Sequence, residues 1–222
     1  MITVSSCLGG NMDTHQLDPA EVRVLGALAE KQALTPDAYP MTLNGLASAC
    51  NQLTSREPVM QLSESEIAAA LDALIAKKLV AERMPAGSRV AKYEHRLNYE
   101  WNIDGARLAA LALLMLRGAQ TSAEIRARSG RLYGFSGVDE VETALHALAD
   151  KYPPLAMKLE RQPGEREARW CHLLCGEPQL AAAPVQACEI IDVGLTGRVA
   201  ALEAEVAALK AMLLAMEQRL NG

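Results

Sequence analysis

Aromatic side chains make up only 4% of this chain: one phenylalanine, two tryptophans and five tyrosines in 222 residues. Alanine and leucine dominate instead, a bias that favours helix over strand. No secretory leader is expected either. The opening MITVSSCLGGNMDTHQ lacks a basic start and a long apolar core, so residues 1–16 read as a flexible leader, with Met12 as an alternative start. No run is long enough to cross a bilayer: LAALALLML, bounded by Asp104 and Arg117, falls far short of the about 20 apolar residues needed. Surplus positive charge is absent too. The net charge is −5 and the pI near 5.5, so the whole molecule is no basic nucleic-acid glue.

Catalytic patterns are equally thin. The five cysteines (Cys7, Cys50, Cys171, Cys175, Cys188) are odd in number and irregularly spaced, which fits a reduced, cytoplasmic protein better than a disulfide framework. Cys171, His172 and Cys175 form a CHxxC run on a predicted strand, where Cys171 and His172 point to opposite faces. A structural zinc site draws on two spaced pairs, and no second pair exists. Cys50 falls near a helix C-terminus, the wrong end of the dipole for a thiolate, and reads as a small buried apolar residue. CLGGN and GFSG lack the lysine and preceding strand of a phosphate-binding loop. The four histidines are scattered. No metal, cofactor or enzymatic activity is expected.

What is present is punctuation. In LDPAEV, Asp18 caps, Pro19 suits the first helical position, Glu21 completes a capping box, and Leu17 and Val22 occupy staple positions. LSESEI repeats the device with Ser63, Glu66, Leu62 and Ile67. Asp104 and Thr121 are further caps, with Glu124 three residues after Thr121. Helices are predicted near 19–32, 42–51, 63–78, 105–117, 121–129 and 137–151. Strand, Pro-Gly turn and strand follow the third and the sixth.

These elements form two copies of one pattern. AALDALIAKK and TALHALADKY align at an offset of 74, pairing Leu71 with Leu145 and Leu74 with Leu148. The hairpins align at an offset of 77, pairing Tyr93 with Trp170 and His95 with His172. Three helices followed by a β-hairpin is the order of a winged helix, a helix-turn-helix variant. The expected fold class is therefore mainly α with small β-hairpins (α+β): two tandem winged-helix domains, 17–101 and 102–175, plus a C-terminal coiled-coil helix. An Ala/Pro-rich linker, 176–194, leads to it. In that helix, 195–221, the residues Leu195, Val199, Leu202, Val206, Leu209, Leu213, Met216 and Leu220 recur at alternating steps of four and three, a heptad seam. Arg198 facing Glu203 and Glu205 facing Lys210 suit a parallel homodimer. The competing reading is an amphipathic helix docked on its own domain.

The stretch YPMTLNGLASACNQLTSREPVMQLSESEI, followed by AALDALIAKKLV, resembles the YceH-like family of uncharacterised bacterial proteins. The resemblance covers roughly 17–175, and ACNQ…REPVM is its most specific element. It implies a tandem winged-helix fold and an unassigned function. DNA binding is suggested for it by fold, and fold does not fix function. It brings no catalytic residues.

In a helix-turn-helix the second helix presents Arg, Lys, Asn or Gln to the major groove. Here 63–78 leaves outside Glu64, Ser65, Ala69, Asp72, Ala73 and Ala76, and the second copy leaves Asp139, Glu140, Glu142, Thr143 and Asp150. Such faces repel phosphates. Positive charge lies elsewhere: Arg83, Arg89 and Lys92 in the first wing, Arg161 and Arg166 in the second, and Arg126, Arg128 and Arg131 after the fifth helix. Arg56 joins them as a contact residue unless it forms a local ion pair with Glu57 that fixes the turn. Asn51 is expected to end the second helix in a left-handed turn. Two readings result. One is a dimeric, double-stranded-DNA-binding transcription regulator that uses the wings and the Arg126–Arg131 cluster, narrowly preferred on fold precedent. The other is a protein-interaction adaptor whose acidic helices bind a partner protein.

Overall fold

The computed structural model describes residues 16–84, 87 and 90–176. The linker beyond Gly176, the heptad seam from Leu195 to Leu220, and Arg89 lie outside them.

Within these residues the chain is mainly α-helical with two small antiparallel hairpins. The first half runs α1 (Pro19–Leu34), α2 (Leu43–Cys50), α3 (Glu64–Ala76), β1 (Val80–Arg83) and β2 (Lys92–His95). A single turn, α4 (Leu97–Glu100), leads into α5 (Gly105–Arg117), α6 (Ser122–Ser129), α7 (Val138–Ala149), β3 (Ala156–Lys158) and β4 (Trp170–His172). All six helices read from the sequence are present.

Local chemistry explains where they start. Asp18 Oδ1 accepts from Glu21 N at 2.8 Å, while Asp18 N donates to Glu21 Oε2 at 2.7 Å. Reciprocal boxes also open α3 (Ser63, Glu66) and α6 (Thr121, Glu124). Asp104 stands at the start of α5 without a side-chain cap bond; its carboxylate pairs with Arg107 at 2.7 Å. Asn51 does end α2, but at φ −92° rather than in the left-handed region. Its amide clamps instead: Nδ2 donates to Leu62 O and Oδ1 accepts from Leu62 N, both at 2.8 Å. A side chain satisfied across the loop has no need of a left-handed cap.

Each hairpin gains one more partner. Met41, just before α2, bridges Tyr93 through two backbone hydrogen bonds of 3.0 and 2.8 Å. Gln120, just before α6, bridges Trp170 in the same way at 3.0 and 2.7 Å. The repeat seen in sequence thus extends to a third, one-residue strand in each half.

The centre is helical. α1 is buried without interruption from Glu21 to Glu30, and α5 from Ala109 to Leu116. A helix apolar and buried on all sides belongs inside a core, not on its edge. The two pack so closely that a Cβ added at Gly26 would lie 3.0 Å from Met115 Cβ. One continuous hydrophobic cluster reaches from Leu17 through Leu111 to Leu174 and joins both halves. No helix among the described residues is long and apolar enough to cross a membrane.

Candidate interaction surface

Three charged residues buried in α1 hold the first half's helix pair in place. Glu21, already the capping partner of Asp18, receives Lys77 Nζ at 2.7 Å on both oxygens, which fixes the end of α3. Arg23 donates to Cys50 O at 3.2 Å and Pro58 O at 2.6 Å, tying down the end of α2 and the α2–α3 loop. Glu30 takes the fork of Arg56, with Nη1 at 3.1 Å and Nη2 at 2.6 Å. Arg56 spends its other donors on Ala49 O and Ser55 O, so no guanidinium N–H is left over. It is buried at 5% exposure, with no route to an external phosphate. Glu57 is exposed and takes no part; the partner of Arg56 is Glu30. Cys50, buried between these arginines, has its thiol pushed up to about 12 by burial, and so stays protonated.

Outward, α3 presents Glu64, Ser65, Ala69, Asp72 and Ala76, all exposed, with Lys78 just past its end. α7 presents Asp139, Thr143, His146 and Asp150. His146 lies edge-on to the Trp170 ring at 5.0 Å, where it joins α7 to the second hairpin. Glu142 is drawn the same way by Ser122 and by Lys158 at 3.4 Å. Neither outward face carries an arginine.

The cations fall into two groups. Arg83 pairs with Glu94 at 2.8 Å, and Arg128 donates to Gln120 Oε1 at 2.9 Å. Lys92, half-buried, and Arg126, Arg131, Arg161 and Arg166, all exposed, make no ion pair among the described residues. Large apolar side chains surface beside the first helix pair and its hairpin: Leu53 at 78% exposure, Val59 at 50%, Met84 at 62% and Val90 at 55%. In the second half a groove of about 360 Å³ runs between α6 and the α6–α7 turn, lined by Ala123, Ala127, Phe135 and Val138, with Arg126 and Tyr133 at its edge.

Residues 17–165 match the family model described as "Protein of unknown function, DUF480". The chain belongs to this family. A UPF0502 protein of Chromobacterium violaceum is 85% identical over 222 residues, covering 100% of both chains. One of Herminiimonas arsenicoxydans is 50% identical over 207 residues, 92% of this chain and 87% of that one. One of Geobacter sulfurreducens is 47% identical over 197 residues, 87% and 90% respectively. The resemblance to the YceH-like family is thereby borne out.

Read in this DUF480 chain, the family's specific ACNQ…REPVM stretch is the segment that α1 grips. Cys50 and Pro58 supply carbonyls to Arg23, Asn51 clamps Leu62, and Arg56 reaches Glu30. Neither expectation for Arg56, an outward contact or a pair with Glu57, matches this geometry, and the sequence alone does not single out Arg23 or Glu30. The signal available was that Glu21, Arg23 and Glu30 fall within the apolar run of α1. The CHxxC residues do not converge: Cys171 is buried, Cys175 exposed, and no group of three or more His, Cys, Asp or Glu among the described residues is placed to hold a metal ion. Burial lowers His172 and its counterpart His95 to about 4, so both are neutral at pH 7.

Proposed function

We propose that this chain is a tandem winged-helix adaptor: a binding protein, not an enzyme, whose two helix pairs dock a protein partner. The winged-helix assignment rests on the order of elements and on the Met41 and Gln120 bridges, which add to each half the short strand that precedes the second helix in that fold. The observation that carries the choice of partner is the outward chemistry of α3 and α7. Glu64, Asp72, Asp139 and Asp150 point away from the core with no guanidinium among them. Carboxylates at that position repel a phosphate backbone and suit a basic protein surface. Exposed Leu53, Val59, Met84 and Val90 supply the apolar contact area that a protein interface needs at its centre. The protein acts in the cytoplasm as a homodimer joined through the heptad seam from Leu195 to Leu220.

Affinity purification of the tagged chain after nuclease treatment tests the reading. A retained protein that is lost on Asp72→Lys or Asp139→Lys is the expected result. Loss of the partner on nuclease treatment would count against it. Deleting 195–222 should turn a dimer into a monomer by light scattering.

Double-stranded DNA is the second reading, favoured by Arg126 on α6, Arg131 just after it, and Arg161 and Arg166 in the second hairpin loop, which make no ion pair among the described residues. A gel shift on random duplex that strengthens as salt is lowered, and weakens in Arg126→Gln, would move the assignment to DNA.

A further inference from the structure

We propose that the cleft between α1, the α2–α3 loop and the C-terminal ends of α5 and α6 binds a small phosphate-bearing anion. Its walls bring together Arg117 from α5, Arg128 from α6 and Arg131 from the following turn, over a floor that includes Glu30 and Ser55. The volume is about 150 Å³. Sites for drug-sized ligands run from about 300 Å³ upward, so this one admits a single small group rather than a whole nucleotide.

The charge balance points to an anion. Glu30 is the one carboxylate lining the cleft among the described residues, and both its oxygens are already held by Arg56. Arg128 reaches Glu124 only at 3.7 Å, and Glu124 also serves Arg169 at 3.0 Å. Arg117 is half-buried, and its single hydrogen bond among the described residues is Nη2 to Ser55 Oγ at 2.6 Å. Among the described residues it has no carboxylate within ion-pair distance. Burial first, and Arg128 second, hold its guanidinium below the ordinary range. A desolvated cation beside a like charge is unfavourable unless something neutralises it.

Capping does not account for it. An arginine in the last turn of a helix commonly satisfies the terminal carbonyls. Here Leu114 O accepts from Gly118 N at 2.9 Å and Leu116 O from Glu57 N at 2.8 Å, while the Arg117 head turns to the cleft. Planar guanidinium forks around a small, partly enclosed space match the oxygen geometry of a phosphate. This site is separate from the outward faces of α3 and α7, and its test involves no partner protein.

Thermal unfolding of the full chain in a chloride buffer, titrated with inorganic phosphate against sodium chloride of equal ionic strength, reads the site. A saturable rise in Tm with phosphate alone is expected. Arg117→Gln should remove it. That variant also deletes the Ser55 bond, so Arg131→Gln, at an exposed position, decides the matter: the phosphate midpoint should weaken about tenfold or more. Arg161→Gln, in the second hairpin loop, should leave it unchanged. A rise that never saturates, that chloride reproduces, or that survives Arg131→Gln with the same midpoint overturns the proposal.

Discussion

Arg56 has 0% side-chain exposure and Glu30 8%, so their pairing takes place almost without water. The worth of such a pair depends on what is left when one partner goes. Glu30→Ala strands a buried guanidinium and should lower stability by about 3–5 kcal/mol in urea unfolding. The double variant Glu30→Leu/Arg56→Met removes both charges and should recover much of that loss. If the single and double variants fall equally far, the pair is not the source of the effect. The two hairpin histidines make a second residue-scale prediction. His95 is neutral inside the fold, with Nδ1 accepting from Leu97 N at 3.4 Å and Nε2 against Gln32 Oε1 at 2.7 Å. His172 is half-buried, and its Nδ1 is shut off from solvent with no hydrogen-bond partner among the described residues. Burial lowers both from 6.5 to about 4, so between those values the unfolded chain binds protons that the folded chain refuses. Stability is therefore complete above about pH 6.5 and falls as pH drops toward 4, by about 2 kcal/mol per histidine from pH 7 to 5. His172→Leu should shallow this pH slope by roughly half, as read by urea midpoints at the two pH values.

Helices and hairpins differ in how much of their structure is written locally. The capping boxes at Asp18, Ser63 and Thr121 and the offset repeat sit within a few residues of the elements they define, so starts, order and fold class are legible in sequence. Met41 and Gln120 add one-residue strands, too short to leave any period-2 pattern. The four-residue α4 is too short for a helical period as well. Arg56 reaches across 26 residues to Glu30, a distance that favours no particular partner from sequence, whereas adjacent Glu57 offered itself at once. The acidic outward faces were legible, because amphipathic spacing assigns each position a side; the cleft was not, since Arg117 reads as an ordinary last-turn arginine. The α1–α5 contact gave only an indirect sign, the nearly unbroken apolar run of α5. It turns on Gly26. Glycine inside a helix is less favourable than alanine by about 1 kcal/mol, and the seam accounts for its presence, since Met115 Cβ would stand 3.0 Å from an added Cβ and Leu116 Cδ2 3.1 Å. Gly26→Val should destabilise by about 1–3 kcal/mol through overpacking. A stabilised variant in thermal melts would mean that the seam is looser than this.

At the scale of the whole molecule, the shared core changes what a tandem repeat means. Two domains on a string would present their helix pairs at variable spacing. Here α1 and α5, each buried all round, lie against one another inside a single cluster, so the faces of α3 and α7 are held at one separation. Independent domains also unfold independently, whereas halves with a common core lose it together. The two tryptophans allow the distinction to be measured. Trp101 follows the first half at 7% exposure and Trp170 sits in the second hairpin at 1%. With the other replaced by phenylalanine, each reports on its own surroundings during urea unfolding. The slope of stability against denaturant scales with the surface exposed, so a common unit gives both tryptophans the same slope, about twice that of a half-sized one. That comparison survives any loss of stability from the substitutions, because it uses the slope and not the midpoint. Equal, full-sized slopes are expected. Two half-sized slopes would mean that the α1–α5 seam opens before either half unfolds, and that the faces of α3 and α7 are free to move apart.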